Sequence, residues 1–221
     1  MGRIFAALSM YRDKCGRIGQ ENAKRLLAFV LVLRYSGLRI GDAVSLSVEQ
    51  IQGTKLYLRT HKTGQHVYCP LPPQVLLVLN SIVRLSDRYF FWTGRSKLHT
   101  AVGIWQRSLK RLFDLAGIDK GHAHRFRDTF AVELLLEGTS IEQVAVLLGH
   151  SNIKVTQKHY NPWILERQKQ LESYVERVWA HDSLLPLIGT QAVRREEQQK
   201  PNLFIIGGKE MVPAGGIEPT A

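Results

Sequence analysis

The sequence predicts a mainly α-helical protein of the α+β class that carries one small antiparallel β-hairpin. Three observations lead to this prediction. Apolar residues recur at helical spacing over most of the chain, and glycines that suit helix ends follow several of these segments. Two strand-like segments flank a turn at Thr63, Gly64 and Gln65. With 221 residues, 44% of them hydrophobic, the chain is long enough to bury one sizeable core.

The first part of the chain contains two predicted helices and the hairpin. Residues 1–19 show no strong pattern and are expected to form an N-terminal extension. The elements predicted after it are a helix over residues 20–35 that stops at Gly37, a short helix over residues 39–46, and strands over residues 55–60 and 66–71. Lys62 therefore lies near the tip of the hairpin, where a long side chain can reach outward.

The rest of the chain is predicted to be helical. Pro72 and Pro73 open a helix over residues 74–84, because proline suits the first helical turn. The next predicted helix covers residues 97–116, and its apolar side carries Ile104, Trp105, Leu109, Leu112 and Phe113. Two more are predicted over residues 124–137 and from the capping box at Ser140 to Gly149. A break is predicted at Asn161 and Pro162, followed by a last helix over residues 163–180. Residues 20–180 are thus expected to form the main domain, and residues 181–221 a disordered tail.

The charge balance favours a polyanionic partner. The chain has 30 Lys and Arg against 19 Asp and Glu, a net charge of +11. Nucleic acid fits this charge, although acidic membranes and acidic proteins also attract basic proteins. Cys15 and Cys69 are too few for a disulfide framework and predict two reduced thiols. The early apolar run is too short to span a bilayer, so we expect a soluble intracellular protein that does not contact membranes.

Six side chains along the chain suit one kind of chemistry. In order they are Arg39, Lys62, His124, Arg127, His150 and Tyr160. A phenol can attack a phosphodiester, guanidinium groups can bind its nonbridging oxygens, and an ammonium or imidazole can move protons. Taken singly, each residue has an ordinary structural interpretation: a solvated surface cation, an imidazole at a helix end, or a packed aromatic ring. The ordered set is what predicts metal-free attack of a tyrosine on a phosphodiester.

The strings around these residues resemble the tyrosine recombinase, or phage integrase, family. The resemblance rests on Tyr35-Ser36-Gly37-Leu38-Arg39-Ile40-Gly41-Asp42, on His124-Arg125-Phe126-Arg127-Asp128-Thr129-Phe130-Ala131, on Leu147-Leu148-Gly149-His150-Ser151 and on Thr156-Gln157-Lys158-His159-Tyr160. It covers about residues 20–180 and implies the catalytic-domain fold of that family. It also implies DNA cleavage and rejoining through a 3′-phosphotyrosyl intermediate, without metal, ATP or other cofactor.

The resemblance implies a role for each matching residue. Arg39 and Arg127 would bind the scissile phosphate, and Lys62 would be the general acid toward the leaving 5′ oxygen. His124 and His150 would hydrogen-bond the phosphate, and Tyr160 would attack it. His124 would also assist proton transfer from the nucleophile, and Asp42 would orient an active-site side chain. Further DNA contacts would come from Arg125, Lys154 and Lys158.

The same resemblance sets expectations for partners and leaves alternatives open. Double-stranded DNA and a homotetramer assembled on it are expected, in the cytoplasm of a prokaryote, at the nucleoid, with a role in a mobile genetic element. The apolar face of the last helix could pack on its own domain or dock on a neighbouring subunit. A type IB topoisomerase, a hairpin-forming resolvase and a non-catalytic DNA-binding protein remain alternatives. The short segment before residue 20 cannot hold the family's N-terminal DNA-binding domain, so the chain is either a fragment or a stand-alone catalytic protein.

Overall fold

The fold is known from a computed structural model, which describes residues 1–13 and 16–181. Its helices and strands in chain order are α1 (Gly2–Asp13), α2 (Gly16–Ser36), α3 (Ile40–Val44), β1 (Ile51–Gln52), β2 (Lys55–Arg59), β3 (His66–Pro70), α4 (Pro73–Ser81), α5 (Leu98–Leu115), α6 (His124–Leu136), α7 (Ile141–Leu147) and α8 (Ile153–Ala180). The predicted class, helical with a small antiparallel sheet, is therefore confirmed. The chain divides into two units, Met1–Gln170 and Leu171–Ala221, and every side chain of the candidate site lies in the first.

The first helix was missed by the sequence prediction. Helix α1 covers Gly2–Asp13, and its side chains Ile4, Ala7 and Leu8 are buried in the main core. These three recur at spacings of three and one, which is a helical pattern too short to stand out in the sequence. The second helix also begins earlier than predicted, at Gly16, and ends as expected before Gly37.

Aromatic side chains from α2 and α5 form the centre of the main core. The rings of Phe29 and Trp105 stack with centroids 4.1 Å apart, and Phe91 meets both rings nearly edge-on. The predicted apolar side of α5 is correct except at Ile104, whose side chain is 50% exposed. Ile104 directly precedes the buried Trp105, so it lies about 100° around the helix from that ring, beyond the edge of the buried face.

The sheet has three antiparallel strands in the order β1-β2-β3. The sequence predicted β2 and β3, whereas β1 has only two residues and gives no pattern to detect. Leu56 pairs with Cys69 and Leu58 with Val67, and these four side chains face the core. Cys69 is a free, buried thiol whose burial raises its pKa to about 11. Cys15 lies outside the described residues.

Helices α6, α7 and α8 enclose a smaller apolar cluster. It consists of Ala131, Leu135, Val144, Leu148 and the ring of Tyr160. The Ser140 side chain caps α7 by accepting a hydrogen bond from the backbone N–H of Gln143, and the predicted capping box is present. This cluster therefore fixes the candidate nucleophile within the first unit.

The predicted chain break after Tyr160 is wrong, because α8 runs through Pro162 without interruption. A proline inside a helix removes one backbone hydrogen bond and disfavours the helix, which is why the sequence predicts a break. Pro162 is exposed here, so the carbonyl that loses its partner lies on a side of the helix that water can reach. The free-energy cost of Pro162 in the helix is then limited to one missing hydrogen bond and to steric crowding by the proline ring.

The second unit is described only as far as residue 181. Its helical residues expose the apolar side chains Leu171, Tyr174, Val175 and Val178, which recur at helical spacing. The predicted disordered tail begins at residue 181 and, from residue 182 onward, lies outside the described residues. Within the described part of the chain, no helix combines the length and the hydropathy that a membrane span requires.

Candidate active site

Three of the six predicted side chains line one cleft. Arg39, Lys62 and His124 surround a cavity of about 640 Å³ together with Lys110 and His122. Arg39 occupies the N-cap position of α3 in an extended backbone conformation. One terminal nitrogen of its guanidinium is buried and has no hydrogen-bond partner among the residues that the structure describes. A buried donor without a partner favours an anion in this cleft, because an unmade hydrogen bond to a charged group is costly.

Arg127 is almost completely buried and joins three segments of the chain. Its guanidinium donates to the carbonyl oxygens of Gly37 and Leu148, each at 2.6 Å, and to Nε2 of His150 at 2.8 Å. The side chain is 2% exposed. Burial, and then the nearby Arg39 charge, lower its pKa to about 10. The two predicted phosphate-binding arginines are therefore close enough to repel each other, which an anion between them would relieve.

His150 is held in a single tautomer. A guanidinium only donates, so Nε2 of His150 accepts from Arg127, and Nδ1 carries the proton and donates to Oγ1 of Thr156 at 2.7 Å. Burial, and then the Arg127 and Arg39 charges, lower the pKa of His150 to about 4. The alternative of an imidazole that caps helix α7 does not hold, since backbone N–H groups serve the end of that helix.

The loop that carries Lys62 is tied down on both sides. The backbone N–H of His61 donates to Oδ1 of the buried Asp42 at 2.8 Å, and the hydroxyl of Thr63 donates to the carbonyl oxygen of Gly149 at 2.8 Å. Lys62 itself is exposed between these two anchors and lines the cleft. Asp42 thus holds the backbone beside the lysine, and its charge also opposes the lowering of the Arg127 pKa. Its role as a support residue remains a proposal.

Tyr160 is 3% exposed, and its hydroxyl donates to Oδ1 of Asp128 at 2.9 Å. Burial, and then the charge and hydrogen bond of Asp128, raise the pKa of the phenol well above the ordinary value of a tyrosine. The Arg127 charge acts in the opposite direction but more weakly. In this arrangement the candidate nucleophile is protonated and shielded from solvent.

Asp128 was not among the predicted site residues, although it touches the candidate nucleophile. Nε2 of His124 lies 3.6 Å from the same carboxylate oxygen that accepts from Tyr160. The pKa of His124 is lowered by burial, an effect that the Asp128 charge partly offsets. A signal existed in the sequence, since residues 124 and 128 are four apart on one predicted helix and must share a face. The contact with Tyr160, 32 residues later, had no such signal.

The remaining candidates are surface cations. Arg125, near the start of α6, is exposed, and so are Lys154 and Lys158, which are four residues apart on α8. Because these side chains are exposed, a phosphate backbone could reach them, but exposure alone does not distinguish a DNA contact from an ordinary solvated cation. Among residues 1–13 and 16–181, no three His, Cys, Asp or Glu side chains are grouped so that they could hold a metal ion.

Comparison with known proteins shows the family. The model of the phage integrase family matches residues 7–163. The chain is 31% identical over 144 residues to a tyrosine recombinase of Thermosipho africanus, which covers 64% of this chain and 51% of that protein. It is 30% identical over 158 residues to the tyrosine recombinase XerD of Vibrio vulnificus, with coverage of 66% and 51%.

A solved structure supports the same conclusion for the fold. The catalytic domain of bacteriophage HP1 integrase superposes with a TM-score of 0.52 at 20% identity, over 79% of this chain and 90% of that domain. This chain spans about half the length of the two recombinases that it matches in sequence. The matched family model covers most of the main domain, so the chain belongs to the phage integrase family of tyrosine recombinases.

Proposed function

We propose that this protein is a site-specific DNA recombinase or integrase that cleaves and rejoins DNA through a 3′-phosphotyrosyl intermediate. One observation carries the proposal. A single cleft is lined by the side chains of Arg39, Lys62 and His124, with Arg127 and Tyr160 close behind it. Membership of a family of strand-breaking enzymes supports the same conclusion.

Arg39 and Arg127 are proposed to bind the scissile phosphate. Guanidinium groups stay charged and can bond two oxygens at once, which suits the nonbridging oxygens as negative charge develops on them. The unpartnered nitrogen of Arg39 and the mutual repulsion of the two arginines both favour an anion at this position. The predicted hydrogen bond from His150 to the phosphate receives less support, because both ring nitrogens are already bonded, to Arg127 and Thr156. His150 would instead orient Arg127 from the interior side.

Tyr160 is proposed to attack the phosphorus, and Lys62 to protonate the departing 5′ oxygen. The phosphotyrosyl link keeps the energy of the broken bond, so that a second 5′ hydroxyl can reseal the strand without ATP or a metal. His124 lines the cleft and can hydrogen-bond the phosphate. Direct proton transfer from Tyr160 to His124 receives less support, because the phenol contacts Asp128 instead.

Double-stranded DNA is the proposed substrate, with a homotetramer as the active assembly. The net charge of +11 and the exposed cations Arg125, Lys154 and Lys158 are suited to a phosphate backbone and predict strong salt dependence of binding. The exposed apolar side chains of the second unit, Leu171 to Val178, favour docking on a neighbouring subunit over a solvated face. Action in a prokaryotic cytoplasm on a mobile genetic element stays a prediction.

The test is covalent capture. The chain is incubated with a pool of short duplexes that carry a randomised sequence and one nick, in detergent-quenched reactions containing EDTA. We expect an adduct that is resistant to denaturation and is lost with Tyr160→Phe, whereas the control variant Tyr68→Phe, at an exposed tyrosine of β3, retains it. An adduct that survives Tyr160→Phe would show that another residue is the nucleophile.

The same preparation separates the alternatives. Relaxation of a supercoiled plasmid without any preferred site would indicate a topoisomerase. Salt-dependent binding to the duplex pool with no covalent product under any condition would indicate a non-catalytic DNA-binding protein.

A further inference from the structure

One carboxylate oxygen is shared by two groups of the candidate active site. Oδ1 of Asp128 accepts the hydroxyl hydrogen of Tyr160 at 2.9 Å and lies 3.6 Å from Nε2 of His124. Tyr160 is buried, while the side chains of Asp128 and His124 are 40% and 58% exposed. The carboxylate therefore stands between the buried phenol and the open cleft.

This arrangement opposes the reaction that the site is proposed to perform. A phenol oxygen that donates to a carboxylate stays protonated, because a tyrosinate there would meet a like charge. A phosphodiester anion that approaches the same oxygen is repelled as well. Burial of Tyr160 acts in the same direction, since it disfavours the charged form.

The charged groups around the phenol do not cancel this effect. Arg127 is the cation that opposes this effect, but its charge acts more weakly than burial and Asp128. Both of its terminal nitrogens already donate, to Gly37, Leu148 and His150. From α7, the side chain of Val144 belongs to the apolar cluster that contains the Tyr160 ring. His124, also on α6, lies 3.6 Å from the same carboxylate oxygen and can compete for it, and a proton on its ring would strengthen that pair.

We propose that Asp128 is a positioning residue that restrains Tyr160 in the DNA-free protein and transfers its hydrogen bond to His124 when a phosphodiester enters the cleft. The proposal rests on the proposed function. A phosphate bound beside His124 favours the protonated imidazole, which then draws the carboxylate away from the phenol. The exchange moves hydrogen bonds only, so that the freed phenol can turn to the phosphorus.

The restraint is tested without DNA by nitration with tetranitromethane at pH 8, which attacks the tyrosinate form, followed by peptide mass spectrometry. In the unaltered chain we expect Tyr160 to remain unmodified while the exposed Tyr68 and Tyr174 react. Asp128→Asn keeps the shape of the side chain and removes its charge. It should raise nitration of Tyr160 about tenfold relative to Tyr174, because a pKa of Tyr160 that is lower by one unit gives ten times more tyrosinate. Glu137→Gln, which removes an exposed carboxylate beyond the other end of α6, is the matched control and should change nothing.

Asp128→Ala is the second variant, for use if circular dichroism shows that Asp128→Asn is not folded. Nitration of Tyr160 that stays at the unaltered level in the variant that folds would overturn the proposal. This result does not depend on DNA cleavage, so it stands or falls separately from the proposed function.

The second measurement follows single-turnover adduct formation on the nicked duplex between pH 6 and pH 9. Asp128→Asn should form the adduct faster near neutral pH and move the rise of the rate to lower pH. Complete loss of the adduct in the folded variant would also overturn the proposal, because the carboxylate would then be the proton acceptor of the reaction. Failure of the unaltered chain to form any adduct would instead count against the proposed function.

Discussion

Replacement of Gly37 by alanine should destabilise the protein and the site together. Gly37 has a φ of +62°, in the left-handed region that disfavours side chains. A Cβ atom at this position would lie 2.5 Å from Cδ1 and 3.0 Å from Cε1 of Phe130. Because the carbonyl oxygen of Gly37 also accepts from Arg127, a backbone shift that relieves the clash would move that arginine.

The magnitude follows from these two effects. The left-handed conformation costs an alanine about 1 kcal/mol. The contact with Phe130 adds the cost of overpacking, about 1–3 kcal/mol, since this half-buried ring packs against both apolar clusters and has little room to move. We therefore expect a loss of about 2–4 kcal/mol in the free energy of unfolding. Gly53 offers a matched control, since its φ is +60° and a Cβ there would meet no atom within 4 Å.

The assay is equilibrium unfolding in urea, and the free energies are compared only if their dependence on urea concentration has the same slope in each variant. Gly53→Ala should lose only about 1 kcal/mol, the cost of the conformation alone. Adding Phe130→Leu to each glycine variant should reduce the difference between them, because the smaller side chain makes room. Equal losses for Gly37→Ala and Gly53→Ala would refute the argument from the Phe130 contact.

Two further predictions concern the pH dependence and the lysine loop. Because the folded-state pKa of His150 is lowered to about 4 and an unfolded histidine titrates at about 6.5, stability should fall as pH drops through this window. In His150→Gln, the free energy of unfolding should fall by about 1–2 kcal/mol less between pH 7 and pH 4.5 than in the unaltered chain, after allowance for partial exposure. Urea unfolding at the two pH values measures this difference. An equal fall in both proteins would contradict the lowered pKa of His150. Thr63→Val removes the hydrogen bond to Gly149 that anchors the Lys62 loop and should slow adduct formation about tenfold, if about 1.4 kcal/mol of positioning is lost. Thr54→Val, in the exposed turn at the opposite end of β2, is its control and should leave the rate unchanged; equal rates for the two variants would refute the anchoring role.

The elements that could be predicted from sequence are those with local signals. Gly37 ends a helix because its backbone conformation disfavours other residues, and Ser140 begins one because its side-chain oxygen accepts a hydrogen bond from a backbone N–H that has no partner within the helix. Lys62 was placed near a hairpin tip by the turn residues that follow it. In each case the cause lies within a few positions of the effect, so the sequence displays it.

The errors of the sequence prediction arose where the pattern was too short to detect or where the cause was a contact between residues far apart in the chain. The helix α1 buries only a few side chains, and its packing against α2 and α5 compensates for a weak pattern. Pro162 predicts a break, yet α8 continues through it. Asp128 escaped notice because its importance comes from Tyr160, which reaches it across the interface of two helices. No spacing rule connects those two positions.

The placement of Arg127 determines how an inert form of the protein can be made. This guanidinium binds the carbonyl groups of two separate chain segments as well as a histidine ring, so its removal would leave buried acceptors without donors. If the proposed function holds, a variant that binds DNA without cleaving it is better made by substituting the exposed Lys62 or the phenol of Tyr160. Substitution of the arginine would sacrifice the scaffold along with the chemistry.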